Sequence, residues 1–308
     1  MRALLVVNPK ASSALAGTAV LRRLHSELSL DVVRTAYRGH AVHAASTAAA
    51  RGYDAVIACG GDGTVHEVVN GLLRHTSNGA ASGRVLPLGL IPAGGANVFA
   101  RALGVPRRAP AAAEHLIDAV RSGRRRQVNL ASAAGRWFVF SAGLGLDAEV
   151  VRAVEARRSG GRRGTPSLYV STAVEQYLRY DRRAPAFRVT TSGGTESSPL
   201  FLVIVSNSDP WTYLGSLPIR PTRAASFDTA LDVVGLRSMA APRVVRALLW
   251  AVLPAASSPV STVLIESDVE TIHVRSAEPR ALQLDGEYIG EFADVTFRTR
   301  RGALSVLV

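Results

Sequence analysis

Residues 59 to 71 read Cys-Gly-Gly-Asp-Gly-Thr-Val-His-Glu-Val-Val-Asn-Gly, and the run Gly60-Gly61-Asp62-Gly63-Thr64 has the residue types that bind phosphate. Glycine lacks a Cβ, so backbone N–H groups can close on an anion, and a helix N-terminus adds partial positive charge. Asp62 is the odd member, because a carboxylate repels a phosphate unless a metal ion or a proton transfer gives it work. A bare Gly-Gly-Asp-Gly string is also an ordinary turn. Context separates the two readings. The stretch from Tyr53 to Cys59 is an apolar run of the kind buried in a parallel sheet, and Val65, Val68, Val69, Leu72 and Leu73 recur at helical spacing. The glycines therefore lie at a strand-to-helix turn, which favours a phosphate site.

The elements that must position this turn repeat its pattern. Ala3 to Val7 is predicted as a strand closed by Asn8-Pro9-Lys10, and a helix is predicted over 18–28. Leu30 to Thr35 is a second strand, and Ala41 to Arg51 an alanine-rich helix. Val85 to Ile91 is a fourth strand, followed by Pro92-Ala93-Gly94-Gly95-Ala96-Asn97 and a helix from Val98. Strands alternating with helices predict a doubly wound parallel sheet, whose ligands bind at the carboxyl ends of the strands. Asn8, Thr35, Gly60, Gly61, Asp62, Gly63, Thr64, Gly94, Gly95 and Asn97 all fall on that edge. After Pro106 the pattern changes, and from Gln127 strand-like runs dominate. One helix is expected there, over Ser167 to Tyr180, after the basic loop at 157–164. The expected division is an α/β domain over 1–126 and a β-rich domain over 127–308.

Composition narrows the function classes. At 308 residues and 47% hydrophobic content, the chain has ample core for two domains. The single cysteine, Cys59, excludes a disulfide framework or a cysteine-rich metal site. The apolar run at the start is too short for a signal peptide, and Pro254 and Pro259 interrupt the later apolar region, so a protein of the cell interior is expected. The net charge of +12 calls for an anionic partner. Nucleic acid is disfavoured, since no aromatic RNA-binding signature, helix-turn-helix or zinc spacing is present. A membrane surface or a phosphorylated ligand fits better.

Taken together, Asn8-Pro9, the Gly60 to Thr64 run with His66 to Gly71, and the turn from Pro92 to Asn97 resemble the diacylglycerol kinase catalytic family, which includes bacterial lipid kinases and sphingosine kinases. Three later segments extend the resemblance: Gly143 to Ala148, Phe227 to Asp232, and Leu284-Asp285-Gly286-Glu287. The resemblance implies an α/β nucleotide domain followed by a β-sandwich lipid-substrate domain, with the last residues packing back on the first. It implies transfer of the ATP γ-phosphoryl group to a lipid hydroxyl, with Mg2+, by a protein peripheral to the inner, cytoplasmic face of an anionic membrane. The oligomeric state is open, with a homodimer among the options.

By the same resemblance, Asp285 is the candidate general base, and Asp62 the alternative base or a magnesium contact. Glu287 would touch metal or ribose, Asn8 and Thr35 would help hold the nucleotide, and Asp147 would orient the acceptor head group. Asp228 and Asp232 would hold a structural magnesium, although Thr229 stands where the family commonly has glycine. Asp285-Gly286 by itself is also a hairpin signal, and His66 and Glu67 are open to a capping or solvated role. The chain departs from the family at Gly94-Gly95-Ala96-Asn97-Val98, where a Gly-Thr-x-Asn-Asp string is common. Two other readings stay open: an NAD kinase-like enzyme, and a catalytically weak lipid-binding or regulatory protein on the same scaffold.

Overall fold

Buried apolar strands at the start of the chain build a parallel sheet. The computed structural model describes residues 1–9, 19–74, 84–159, 165–194, 196–253 and 261–308. These divide into one compact unit of Met1–Leu130, Gly135–Val139 and Arg301–Val308, and a second of Ala131–Ala134 and Phe140–Arg300.

In the first unit, β1 (Arg2–Val7) lies between β2 (Ser29–Arg34) and β3 (Ala55–Gly60), and β4 (Leu88–Pro92) follows β3, every pair parallel. All residues of β3 and β4 are buried. A strand buried on both sides needs helices over both faces, which is why these runs are continuous in apolar residues rather than alternating. The covering helices are α1 (Ala19–His25), α2 (His40–Ala48), α3 (Asp62–Leu72), α4 (Val98–Ala102) and α5 (Ala109–Ser122); α2 packs on α3 and α1 on α5. Strands β5 (Arg126–Ala133) and β6 (Arg136–Phe138) follow. The doubly wound reading therefore holds.

Three residues of α3 explain much of its sequence. Glu67 accepts hydrogen bonds from the backbone N–H groups of Gly39 (2.9 Å) and Ala41 (3.1 Å), and so caps the start of α2. Asn70 accepts from the Trp137 N–H and donates to the Trp137 carbonyl, both at 2.9 Å, which clamps β6. A Cβ on Gly71 would lie 2.4 Å from the Val42 carbonyl oxygen, so glycine is what lets α2 approach.

The second unit is built on antiparallel strands. Its order is β13 (Val263–Val269), β12 (Leu231–Leu236), β9 (Leu202–Ser206), β7 (Ser141–Gly145), β14 (Thr271–Leu284) and β15 (Glu287–Val306), with β8 (Phe187–Thr191) also on β14. β14 pairs with β8 along 272–276 and with β7 along 282–284, and its register against β15 shifts between Arg275 and Arg280. A separate hairpin joins β10 (Thr212–Leu214) to β11 (Leu217–Ile219).

Where one helix was expected here, the described residues hold three: α6 (Leu146–Ser159), α7 (Pro166–Arg179) and α8 (Ala241–Val252). α6 carries its buried residues at Ala148, Val151 and Val154, a stripe too narrow to stand out from its charged neighbours. α8 has valines, a proline and no carboxylate, a composition that also suits a strand or loop. The basic loop falls partly outside the described residues, at 160–164. No helix among the described residues is long and apolar enough to cross a membrane.

Candidate active site

The carboxyl edge of the parallel sheet collects the first set of site residues. β3 ends at Gly60, and Gly61 is the residue before α3, with Asp62 in its first turn. A Cβ on Gly60 would meet Thr64 Oγ1 at 2.3 Å. The turn after β4 reaches the same place: a Cβ on Gly94 would lie 2.6 Å from Gly61 Cα, and one on Gly61 would lie 3.2 Å from Gly94 Cα. Two glycine turns thus meet backbone to backbone, tied by the Ala93 N–H donating to the Gly60 carbonyl at 2.9 Å. Asn8 joins them through its amide, which donates to Thr64 Oγ1 at 3.3 Å. Thr35 follows β2 on the same edge, its N–H donating to the Val7 carbonyl at 2.9 Å. The start of α3 presents the positive end of a helix dipole to this edge.

The Gly94 N–H donates to Asn97 Oδ1 at 3.0 Å, and the Asn97 amide returns to the Gly94 carbonyl at 2.8 Å. Asn97 is buried and left-handed, with φ of 48°. Its side chain holds the turn closed, so Gly94 contributes close approach rather than a donor. Gly95 has nothing within 4 Å of an added Cβ and faces open space.

The second unit gathers the carboxylates. Asp285 and Gly286 are the central residues of the β14–β15 hairpin, with φ of 52° and 77°, as a two-residue primed turn requires. The hairpin reading of Asp285-Gly286 is correct, and the turn buries the carboxylate as well. Asp285 is 4% exposed, and its Oδ1 accepts from the N–H groups of Phe140 (2.9 Å) and Ser141 (3.2 Å). Gln283 connects this turn to Asp147: its Oε1 accepts from the Gly286 N–H and its Nε2 donates to Asp147 Oδ2, both at 2.8 Å. Asp147 opens α6, and burial pushes its carboxyl up to about 6 although the Gln283 donor opposes the shift. Gly143 makes room, since a Cβ there would meet Asp147 Oδ2 at 1.7 Å. Glu287 is half-buried at the first position of β15.

Asp228 and Asp232, the pair that the resemblance assigns to a structural magnesium, lie just before and within β12. Asp232 is buried and spends its oxygens on Ser267 Oγ (3.0 Å) and the Asp268 N–H (3.1 Å), and burial raises its carboxyl above the ordinary value. Asp228 is exposed, and its N–H donates to Ser226 Oγ. Among the described residues, no three His, Cys, Asp or Glu side chains converge on a metal-sized site. Cys59 is buried, and its thiol is pushed up to about 12, so it is chemically inert.

Residues 2–133 match the diacylglycerol kinase catalytic domain. The first part of the chain, up to Ala133, is thus similar to that domain family. The chain is 41% identical over 123 residues to the diacylglycerol kinase of Bacillus subtilis, covering 40% of this chain and 37% of that one. It is 30% identical over 209 residues to the diacylglycerol kinase of Mycobacterium tuberculosis, covering 66% and 62%. A probable lipid kinase YegS-like from Chromohalobacter salexigens is 31% identical over 175 residues, covering 55% of this chain and 50% of that protein. The matched stretches thus span between about a third and two thirds of these curated relatives. Among solved structures, a diacylglycerol kinase from Bacillus anthracis aligns over 99% of this chain and 96% of its own, with TM-score 0.71 and 21% identity. An NAD kinase from Archaeoglobus fulgidus aligns over 100% and 94%, with TM-score 0.50 and 12% identity. These two likenesses concern the fold.

At this site, sequence reasoning missed several of the contacts that set the geometry. The capping role open to Glu67 is the one it takes, on α2, whereas the Gln283 contact with Asp147, 136 positions away, is one that no local pattern records. Tyr37 and His40 stack with ring centroids 4.8 Å apart on the turn after β2, and only their shared turn hinted at it.

Proposed function

We propose that the chain is an ATP-dependent lipid kinase, transferring the γ-phosphoryl group to a lipid hydroxyl of diacylglycerol- or sphingosine-like type at the inner face of a membrane. The observation that carries this reading is the meeting of the Gly60–Thr64 and Gly94–Asn97 turns, Cα against Cα, at the carboxyl edge of a parallel sheet with Asp62 in the following helix turn. The match of residues 2–133 to the diacylglycerol kinase catalytic domain supports it, and the NAD kinase of similar fold was solved in complex with ATP.

Phosphoryl transfer needs positioning, neutralised charge and a group to accept the hydroxyl proton. Backbone N–H groups at the start of α3 would hold the phosphates, with Asn8 and Asn97 fixing the shape of the two turns. Asp285 would accept the acceptor's proton; its anchored Oδ1 fixes the orientation of the carboxylate. Asp147, aligned by Gln283, would take a hydrogen bond from the acceptor head group. Glu287, two residues beyond Asp285, would contact ribose or metal. Mg2+ keeps several waters and binds through one or two carboxylates plus substrate phosphates. A site built on Asp62 alone fits that habit and does not need a three-carboxylate cluster. When bound, the ion would neutralise phosphate charge.

The test is transfer of labelled γ-phosphate from ATP to extracted lipids in mixed micelles, with the native chain, Asp62→Ala and Asp285→Ala. A magnesium-dependent lipid product that both variants lose is expected. No labelled lipid despite intact nucleotide binding overturns the reading, and labelling of NAD instead would move the chain to the NAD kinase reaction.

A further inference from the structure

Helix α8 is fixed in place yet displays a greasy face. Trp250 and Ala247 pack against Ile204, Val234 and Val263, which anchors one side of the helix. Its last carbonyls are also held: Arg220 N–H donates to Ala251 at 2.8 Å, and the Arg223 guanidinium donates to Leu253 at 2.7 Å and to Trp250. On the other side, Val245, Leu248, Leu249 and Leu253 are 53, 57, 51 and 49% exposed. Their spacing of i, i+3, i+4 and i+8 places them in one stripe. α8 packs against β11, and the tip of the β10–β11 hairpin adds Leu214 and Leu217, both also exposed. Six large apolar side chains on adjoining elements are more than scattered surface residues.

The charges beside this face have one sign. Arg243 and Arg246 are exposed on α8, and residues 233–265 contain no Asp or Glu. A helix of 12 residues is far too short to span a bilayer. A short amphipathic helix with an apolar stripe and a basic border lies in the plane of an anionic lipid surface. An acidic protein groove would also meet the arginines, but the kinase reading brings the chain to a lipid acceptor.

We propose that α8 and the tip of the β10–β11 hairpin seat the chain on an anionic lipid bilayer. Val245, Leu248, Leu249 and Leu253 enter the acyl boundary, while Arg243 and Arg246 pair with phosphate head groups. The choice of a bilayer rests on the lipid-kinase reading, so binding is measured without ATP. The full chain is floated with vesicles of phosphatidylglycerol and phosphatidylcholine, and separately with phosphatidylcholine alone. Binding at least tenfold stronger to the anionic vesicles, weakened by salt, is expected.

Leu248→Glu with Leu249→Glu lowers that binding tenfold or more while the unfolding midpoint stays put, because both side chains are exposed. Arg243→Ala with Arg246→Ala lowers it several-fold and flattens the salt dependence. The proposal is overturned if the native chain does not float, or if the leucine pair variant floats like it. It is equally overturned if Val174→Glu with Leu178→Glu on α7 abolishes binding and the α8 variant does not. Light scattering that finds a dimer split by the leucine variant, with no vesicle binding, assigns the face to a second copy instead. Micelle-based phosphate transfer without vesicle binding sinks this proposal alone; vesicle binding without transfer sinks the kinase reading alone.

Discussion

At the edge of the first unit's sheet, Gly61 and Gly94 bring two backbones together where side chains would collide, whereas in the second unit Asp147 and Asp285 are carboxylates gripped by neighbouring donors. One region works by leaving atoms out and the other by surrounding charged atoms with partners. The first should fail when any bulk is added. The second should tolerate a change of shape less than it tolerates a change of charge, and its failures should separate chemistry from folding.

The largest effect is expected at the glycines. Gly94→Ala puts a methyl 2.6 Å from Gly61 Cα, where only backbone can yield. A loss of about 2–4 kcal/mol of stability, measured by urea unfolding, is expected, with nucleotide affinity falling at least ~100-fold by calorimetry as the turns part. Gly95→Ala has room on every side, so a shift within about 0.5 kcal/mol is expected. Equal losses at both positions would break the distinction between close approach and mere turn formation.

Next is Asp285→Asn. Asparagine tolerates the left-handed backbone at φ of 52° and keeps an oxygen for the Phe140 and Ser141 N–H groups. Stability should fall by less than about 1 kcal/mol, while kcat drops ~10²–10⁴-fold because the proton acceptor is gone. Asp285→Ala loses both, leaving two buried donors unpaired at a cost of about 1–3 kcal/mol. A fully active Asp285→Asn would reduce this aspartate to a turn residue.

Asp147 supplies a pH test. Its carboxyl is raised to about 6 in the folded chain against an ordinary 3.8. The native state therefore holds a proton that the unfolded chain has released, so this contribution to stability is complete below 3.8 and is lost as pH rises through about 6. The acceptor, by contrast, needs the charged form, so its KM should fall as pH rises through the same interval. Asp147→Asn should flatten both profiles, and a KM profile unchanged by that substitution would remove Asp147 from acceptor binding. The smallest effect on turnover is expected at Asn70→Ala: kcat changed less than ~threefold, although the unclamped Trp137 backbone lowers stability by about 1–3 kcal/mol.

The same contrast explains what could be read from the sequence. The glycine turns were legible because strand, turn and helix follow one another within about twenty residues, and each leaves a local mark. Asn97 was visible as a turn residue, but its use on Gly94 rather than on a ligand depends on a backbone angle that no composition records. Asp285 and Asp147 were reached only through resemblance. Their meeting depends on Gln283 lying opposite Gly143 across two strands some 140 positions apart in the chain. α8 was missed because its apolar face points outward, against the rule that apolar residues face the core.

The last stretch of β15 has a consequence for how the chain comes to be folded. Arg301–Val308 belong to the first unit, where Val306 pairs with Leu88 and the Leu307 N–H donates to the Leu88 carbonyl at 2.9 Å. A ribosome that has already delivered β1 to β6 must still make the entire second unit before it can supply the residues that pair beside β4. Until then the parallel sheet waits with an open edge, and contacts separated by more than two hundred residues close last. Early release or a stall before residue 301 would thus leave a sheet with an uncovered border, and that species is the one most exposed to aggregation and to chaperone capture.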